Sequence, residues 1–425
     1  MIEKLIQLLS ENKHVTDYRI NTTKTESYET FFVHKSLETV RSTHTTDTSV
    51  TVYADHDGKK GNADFSVYAS DTDEIIRQKI ETAAQAALVI HNENYQLPER
   101  ETLSAEIPSN MAGVPLKKLA AQTADAVFAA DRYADGSINA LEIFINHLTL
   151  SVYNSRGLHK SESKYSAMIE AIPTWNADGQ SVELYEAYHF SDLEPEKITA
   201  EIDRRMQEVR DRQLAVKPES SLTCPVVLRS HELSGLFYDL TSNLNYAAVY
   251  AHSNAYQLGD QIQATGDGDP LTITMRHSLP GSSRSALFDT DGVTLQDTLI
   301  IRNGQAIANF GASRFAQYLS QPVTGNLGCM EIQPGTLTEE ELHKAPYFEC
   351  VSMSALQVDV YNDYIGGEVR LAYYYDGQKV IPLTDVSISG KLSEALKSMR
   401  LSNTTTVRDS YEGPDRALFR NISIL

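Results

Sequence analysis

His231 and Glu232 are the residues whose types and spacing come nearest to a hydrolytic centre. In the zinc signature H-E-x-x-H, two imidazoles four residues apart share one helical face and hold the metal, while the glutamate activates its bound water. Gly235 stands where the second imidazole would be, and the longer spacing H-E-x-x-x-H meets Leu236, which has no lone pair to give. Catalytic zinc normally takes three protein ligands. The sequence therefore assigns no metal ligand to this chain, and His231 and Glu232 remain candidates for catalysis with no activity expected of them in isolation. An autonomous hydrolase would need ligands from elsewhere, such as Asp239 or His252.

Other groupings carry less. The stretch 259–269 holds three glycines and three aspartates but lacks the D-x-D-x-D-G order and terminal glutamate of a calcium loop, so it reads as a mobile acidic loop. Neither G-x-x-x-x-G-K-S/T nor G-x-S-x-G occurs, which removes the warrant for nucleotide hydrolysis and for a lipase-type serine. His252, His277 and His343 belong to no catalytic motif. Cys224 and Cys350 sit beside apolar residues and read as small hydrophobes, while Cys329, between Gly328 and Met330, has no evident role.

The elements that position these residues follow from periodicity. Ser230 is a suitable N-cap, and Leu233, Leu236, Phe237 and Leu240 then repeat at helical spacing. Upstream, 17–69 is mostly strand, with 48–54 and 63–69 alternating around Asp57-Gly58 to give a hairpin. Asp71 is expected to cap a long helix, a second is predicted over 115–130, and 92–109 reads as a connection between them. Strands follow at 141–153, 165–172 and 182–188, then a helix from Glu194-Pro195 to about Leu214. That helix alternates Arg204, Arg205, Arg210 and Arg212 with Glu201, Asp203, Glu208 and Asp211, as on a solvated surface laced with ion pairs. After it the chain is strand-rich, with short helices near 313–320, 338–343 and 392–399. The expectation is an α+β protein of two domains, 1–214 and 222–425, joined by a linker at 215–221, each with mainly antiparallel sheet flanked by helices.

Composition limits the function classes. With 425 residues and 41% hydrophobic content the chain can bury real cores. Its 57 acidic against 37 basic residues give a formal net charge of -20, and no basic run occurs, so direct nucleic-acid binding is not expected. Three cysteines, no signal-peptide pattern at the N-terminus and no apolar run of about 18 residues point to a cytoplasmic protein without a membrane segment.

Several stretches, in shared order, resemble the TldD/PmbA family, formerly described as modulators of DNA gyrase and now regarded as peptidases. They are E-T-F-F-V-H-K-S-L-E at 29–38, S-V-T-V-Y at 49–53, F-S-V-Y-A at 65–69 and N-S-R-G at 154–157. Further on come the region from Cys224 to Asp269, L-F-D-T-D-G-V at 287–293, I-I-R-N-G at 300–304 and T-G-N at 324–326. In that family the TldD-like member carries H-E-x-x-x-H and a cysteine near the C-terminus as zinc ligands, and the PmbA-like or TldE-like member lacks them. Here the last cysteine is Cys350, so 402–413 offers no thiolate, and the resemblance is to the branch without the zinc site.

That resemblance implies a non-zinc subunit of a heteromeric metallopeptidase acting on unfolded or small peptides. It implies no cofactor in this chain, with zinc and hydrolysis supplied by a TldD-like partner around an enclosed cavity. The alternative is a homodimeric peptide-binding or scaffold protein without proteolysis.

Overall fold

Alternating β-branched and polar residues make the first long segment a continuous antiparallel ribbon: Asp17–Val33, Ser36–His56 and Lys59–Val67. Asp57 and Gly58, with φ of 47° and 73°, form the tight turn between the last two, a backbone shape that Gly adopts without steric cost. In this computed structural model, which describes residues 2–425, the ribbon is one flank of an eight-stranded sheet. The order runs Lys59–Val67, Ser36–His56, Asp17–Val33, Gly136–Asn154, His159–Ala177, Thr102–Glu106, and Gln180–Glu183 and Glu186–Phe190 also pair with His159–Ala177.

Helices close one face of this sheet. Ile2–Glu11 and Asp73–Ala87 pack on Ile20, Val50 and Val52, while Leu116–Ala129 and Pro195–Leu214 pack on Ile143, Ile145 and Ile169. The cap of Asp73–Ala87 is Thr72, whose hydroxyl accepts the Ile75 amide, and not Asp71. The Asp71 carboxylate is already taken by the Tyr68 amide at 2.9 Å and by Lys79 at 2.6 Å.

The C-terminal half holds a six-stranded and a nine-stranded sheet around a shared core that includes Leu233, Leu236, Phe237 and Leu240. The molecule is α+β with mainly antiparallel pairing, as expected. Three parallel pairs depart from that pattern: Thr102–Glu106 with His159–Ala177, Val226–Arg229 with Tyr347–Met353, and Cys329–Ile332 with Tyr411–Pro414. Thr102–Glu106 lies inside the stretch read as connection, because T-L-S-A-E carries little strand preference and acquires its form from the neighbour it pairs with. The stretch 215–221 is tied down at Val216, which donates to the Pro382 carbonyl at 3.2 Å and accepts from the Thr384 amide at 3.1 Å.

One edge stays open. Ser36–His56 pairs with Lys59–Val67 only from Thr48 onward, so among the described residues 36–47 have no strand on their outer side, and all but Thr43 are exposed.

Candidate functional site

Strand Val226–Arg229 leads directly into helix Ser230–Ser242. Arg229, and not Ser230, occupies the N-cap position, without a side-chain cap, and the Ser230 amide is taken by the Asp415 carbonyl at 2.8 Å. Leu233, Leu236, Phe237 and Leu240 are fully buried, so the apolar repeat seen in the sequence does seat the helix.

Successive helical residues point about 100° apart, which separates the two candidates. His231 is exposed on one side, whereas Glu232 is directed into the protein at 6% exposure, with one carboxyl oxygen lacking any hydrogen-bond partner. Burial pushes Glu232 up to about 7, against the pull of Arg229, Arg408 and Arg205. His231 keeps an exposed face, yet the protein packed around the rest of the ring, and then the positive charges of Arg408 and Arg205, push its imidazole down to about 4. The imidazole is therefore neutral near pH 7, and the carboxyl is poised between its two forms.

These surroundings do not fit a zinc ion. A dication beside His231 would face two fixed guanidinium charges, and the stations for further ligands are empty of donors. A Cβ on Gly235 would meet nothing within 4 Å, and Leu236 is committed to the core. Within 402–413, where a thiolate would come from, the side chain that bears on His231 is Arg408. Of the more distant candidates, Asp239 is half-buried, which pushes its carboxyl up, and His252 is exposed just after the short helix Tyr246–Tyr250. The open space at Gly235 has a simple consequence: Gly235→Ala should stabilise the chain by about 0.5–1 kcal/mol through helix propensity, read from denaturant unfolding.

Beneath the helix lies an ionic network that the sequence presents differently. Helix Pro195–Leu214 is not solvated along the face carrying Arg205 and Glu208, which are both buried. Arg205 pairs with Glu186 and reaches Glu208 at 2.9 Å. Glu208 also receives Arg204 at 2.7 Å and Arg229 at 2.6 Å, Arg229 continues to Glu349 at 3.0 Å, and Arg416 meets Glu349 at 3.3 Å. Arg408 joins through Glu186 at 3.1 Å. One connected set of side chains thus ties the first half of the chain to the helix that carries His231.

The remaining candidates resolve into structural roles. Cys350 is fully buried and Cys329 nearly so, burial pushes both thiols up, and half-buried Cys224 is pushed up to about 11. His252 is exposed, and His343 bonds the Glu339 carbonyl at 2.8 Å. His277 is paired with Asp297 at 2.7 Å, a contact across 20 residues that no motif announced. The 259–269 stretch is more anchored than a mobile acidic loop. Gly268 donates to the Lys397 carbonyl, and Asp269 accepts from Thr336, Arg400 and the Leu401 amide.

Two of the short motifs, L-F-D-T-D-G-V at 287–293 and T-G-N at 324–326, meet in space. Asp289 accepts the amides of Asp291, Val293 and Asn326, each at 3.0 Å, closing the 288–293 loop onto T-G-N. That loop then grips the first sheet: Asp291 pairs with Arg19, the Thr290 carbonyl takes Asn21 at 3.0 Å, and Thr294 takes the buried Lys160 at 2.5 Å. Gly292, at φ 85°, has no room for a side chain, because a Cβ would come within 2.7 Å of Leu158. These two motifs form a clasp between the halves.

Residues 221–425 match the family model described as the PmbA/TldA metallopeptidase C-terminal domain. No curated protein matches the sequence. The fold is similar to the crystal structure of TldE from Thermococcus kodakarensis, with a TM-score of 0.81 and 18% identity over 100% of this chain and 99% of that one. A putative modulator of DNA gyrase from Thermotoga maritima gives 0.79 and 16% over 100% and 99%, and another from Bacteroides thetaiotaomicron gives 0.81 and 13% over 99% and 97%. At these identities the likeness to the solved structures is one of fold.

Proposed function

This chain belongs to the TldD/PmbA family by its C-terminal half, and we propose that it is the zinc-less, TldE-like subunit of a cytoplasmic heteromeric metallopeptidase acting on unfolded peptides. A TldD-like partner supplies the zinc and the activated water, and this chain shapes the chamber and holds substrate. The observation that supports the reading is the pair of guanidiniums, Arg205 and Arg408, set against His231 while Glu232 turns inward. A single neutral imidazole in a positive field offers a metal little, and a buried carboxyl cannot reach a water at an external site.

The test uses purified full-length chain, metal analysis and a peptide-cleavage assay with and without a TldD-like partner. The expected result is no stoichiometric zinc and no cleavage alone, with cleavage appearing in the mixture. Full activity of the isolated chain, lost on His231→Ala, would refute the proposal. Recovery from the native cell of a homodimer without any H-E-x-x-x-H companion would favour the scaffold reading instead.

A further inference from the structure

The unpaired margin of Ser36–His56 presents its backbone in a fixed order. His56 and Lys59 flank the tight Asp57-Gly58 turn and exchange hydrogen bonds, so from His56 back to Thr48 each even-numbered residue turns its N–H and C=O toward Lys59–Val67. Pairing with Asp17–Val33 runs without a shift from Tyr53 to Thr39, so the same alternation continues beyond the end of Lys59–Val67. Val40, Ser42, His44 and Thr46 therefore turn these groups outward, where no backbone partner meets them among the described residues.

The segment is also held stiffly. Its inner neighbour, Asp17–Val33, is paired in turn with Gly136–Asn154 from Arg19 to Val33. At the tip, the His34 amide donates to the Asn139 carbonyl at 2.9 Å and Lys35 Nζ to the Asp131 carbonyl at 2.8 Å. Sheets usually guard an open edge with Lys, Pro or a covering element. Between 36 and 47 there is no Lys and no Pro, every residue but Thr43 is exposed, and the register shift opposite Phe31 and Phe32 falls at the tip.

We propose that residues 40–46 of this edge take up an extended segment of substrate polypeptide as an added strand, held by main-chain hydrogen bonds. This rests on the substrate-holding role proposed above and names the segment that performs it. Size favours a peptide over a folded partner, since a stable contact between two proteins takes about 20–30 residues a side and 36–47 offers about half of that. The outward-turning residues are all exposed and include no Lys, Arg, Asp or Glu, so little there reads a sequence. What the edge selects is a chain free to extend, which an unfolded peptide is and a strand already paired inside a folded protein is not.

A peptide-observed NMR titration of the full chain, without metal or partner, tests this. The probes are a capped peptide of about ten residues alternating Thr and Ser, and the same peptide with Pro at every second position, which cannot pair along a strand. The first should bind with a Kd of about 0.1–1 mM and the second at least about tenfold more weakly. His44→Pro combined with Thr46→Pro removes two outward N–H groups that the fold does not use, so the variant should fold and lose at least about tenfold in affinity. His44→Ala combined with Thr46→Ala keeps both N–H groups and should bind as the parent does. No binding up to about 5 mM, equal binding of the proline-containing peptide, or full binding by the proline variant would overturn the proposal. Loss of binding in the alanine variant would do so too, by placing recognition in side chains. Dissociation of a self-associated form by the proline substitutions, seen in sedimentation, would give the edge to a second copy of the chain and equally overturn it. Neither zinc nor cleavage is read, so a null result is distinct from a failure of the subunit assignment, which shows as bound zinc or solitary activity.

Discussion

Glu208→Gln should destabilise the chain by about 3–5 kcal/mol in denaturant unfolding, the cost typical of breaking a buried ion pair from one side. The amide keeps the shape of the carboxylate and removes only its charge. Glu208 is the shared acceptor of Arg204, Arg205 and Arg229, and Arg205 and Arg229 are themselves largely withdrawn from water. Without it, burial favours neutral guanidiniums that cannot in practice lose their protons, so the deficit appears as lost folding free energy. Because the network spans both halves of the chain, the variant should also separate their unfolding into two transitions. A loss below about 1 kcal/mol would mean that water reaches these groups in solution and that the network contributes no more than surface pairs do.

The second large effect is a pH dependence centred on Glu232. Its folded pKa of about 7 lies above the ordinary carboxyl value of 4.5, so between those limits the folded state binds more protons than the unfolded one. Stability from this group is therefore fully present below about 4.5 and declines as pH rises through about 7. At pH 8 the ionised carboxylate, with one oxygen unpartnered, should cost on the order of 3 kcal/mol. Glu232→Gln abolishes that dependence, so the variant should match the parent near pH 4 and exceed its stability near pH 8. Parallel stability curves for the two proteins would show that Glu232 ionises freely, as a carboxyl in water does.

How far the sequence carries depends on whether a residue's environment is local. The 230–242 helix was legible because Leu233, Leu236, Phe237 and Leu240 encode their own burial at helical spacing. The missing donors at Gly235 and Leu236 were legible for the same reason, as was the α+β architecture from hairpin and helix periodicities. The network under the helix was not. Alternating Arg and Glu along Pro195–Leu214 read identically whether that face meets water or a second sheet, and the residues that continue the network come from two strands, Arg229 lying 21 residues beyond Glu208 and Glu349 a further 120. The His277–Asp297 pair is of the same kind, created by the approach of two separate segments. The 259–269 loop was misread because its glycines suggest freedom, whereas Gly266 and Gly268 lie against the backbone of Lys397 and Met399.

The unpaired outer margin of Ser36–His56 divides one continuous strand into two kinds of amide. From Thr48 to Tyr53 every N–H is enclosed between two neighbouring strands, while in 36–47 alternate N–H groups point straight into solvent. Deuterium uptake should therefore run on two clocks along a single ribbon, fast at every other site near the tip and slow at its base, with no hinge between them. Any polypeptide that settles along that margin would announce itself by silencing the fast sites alone.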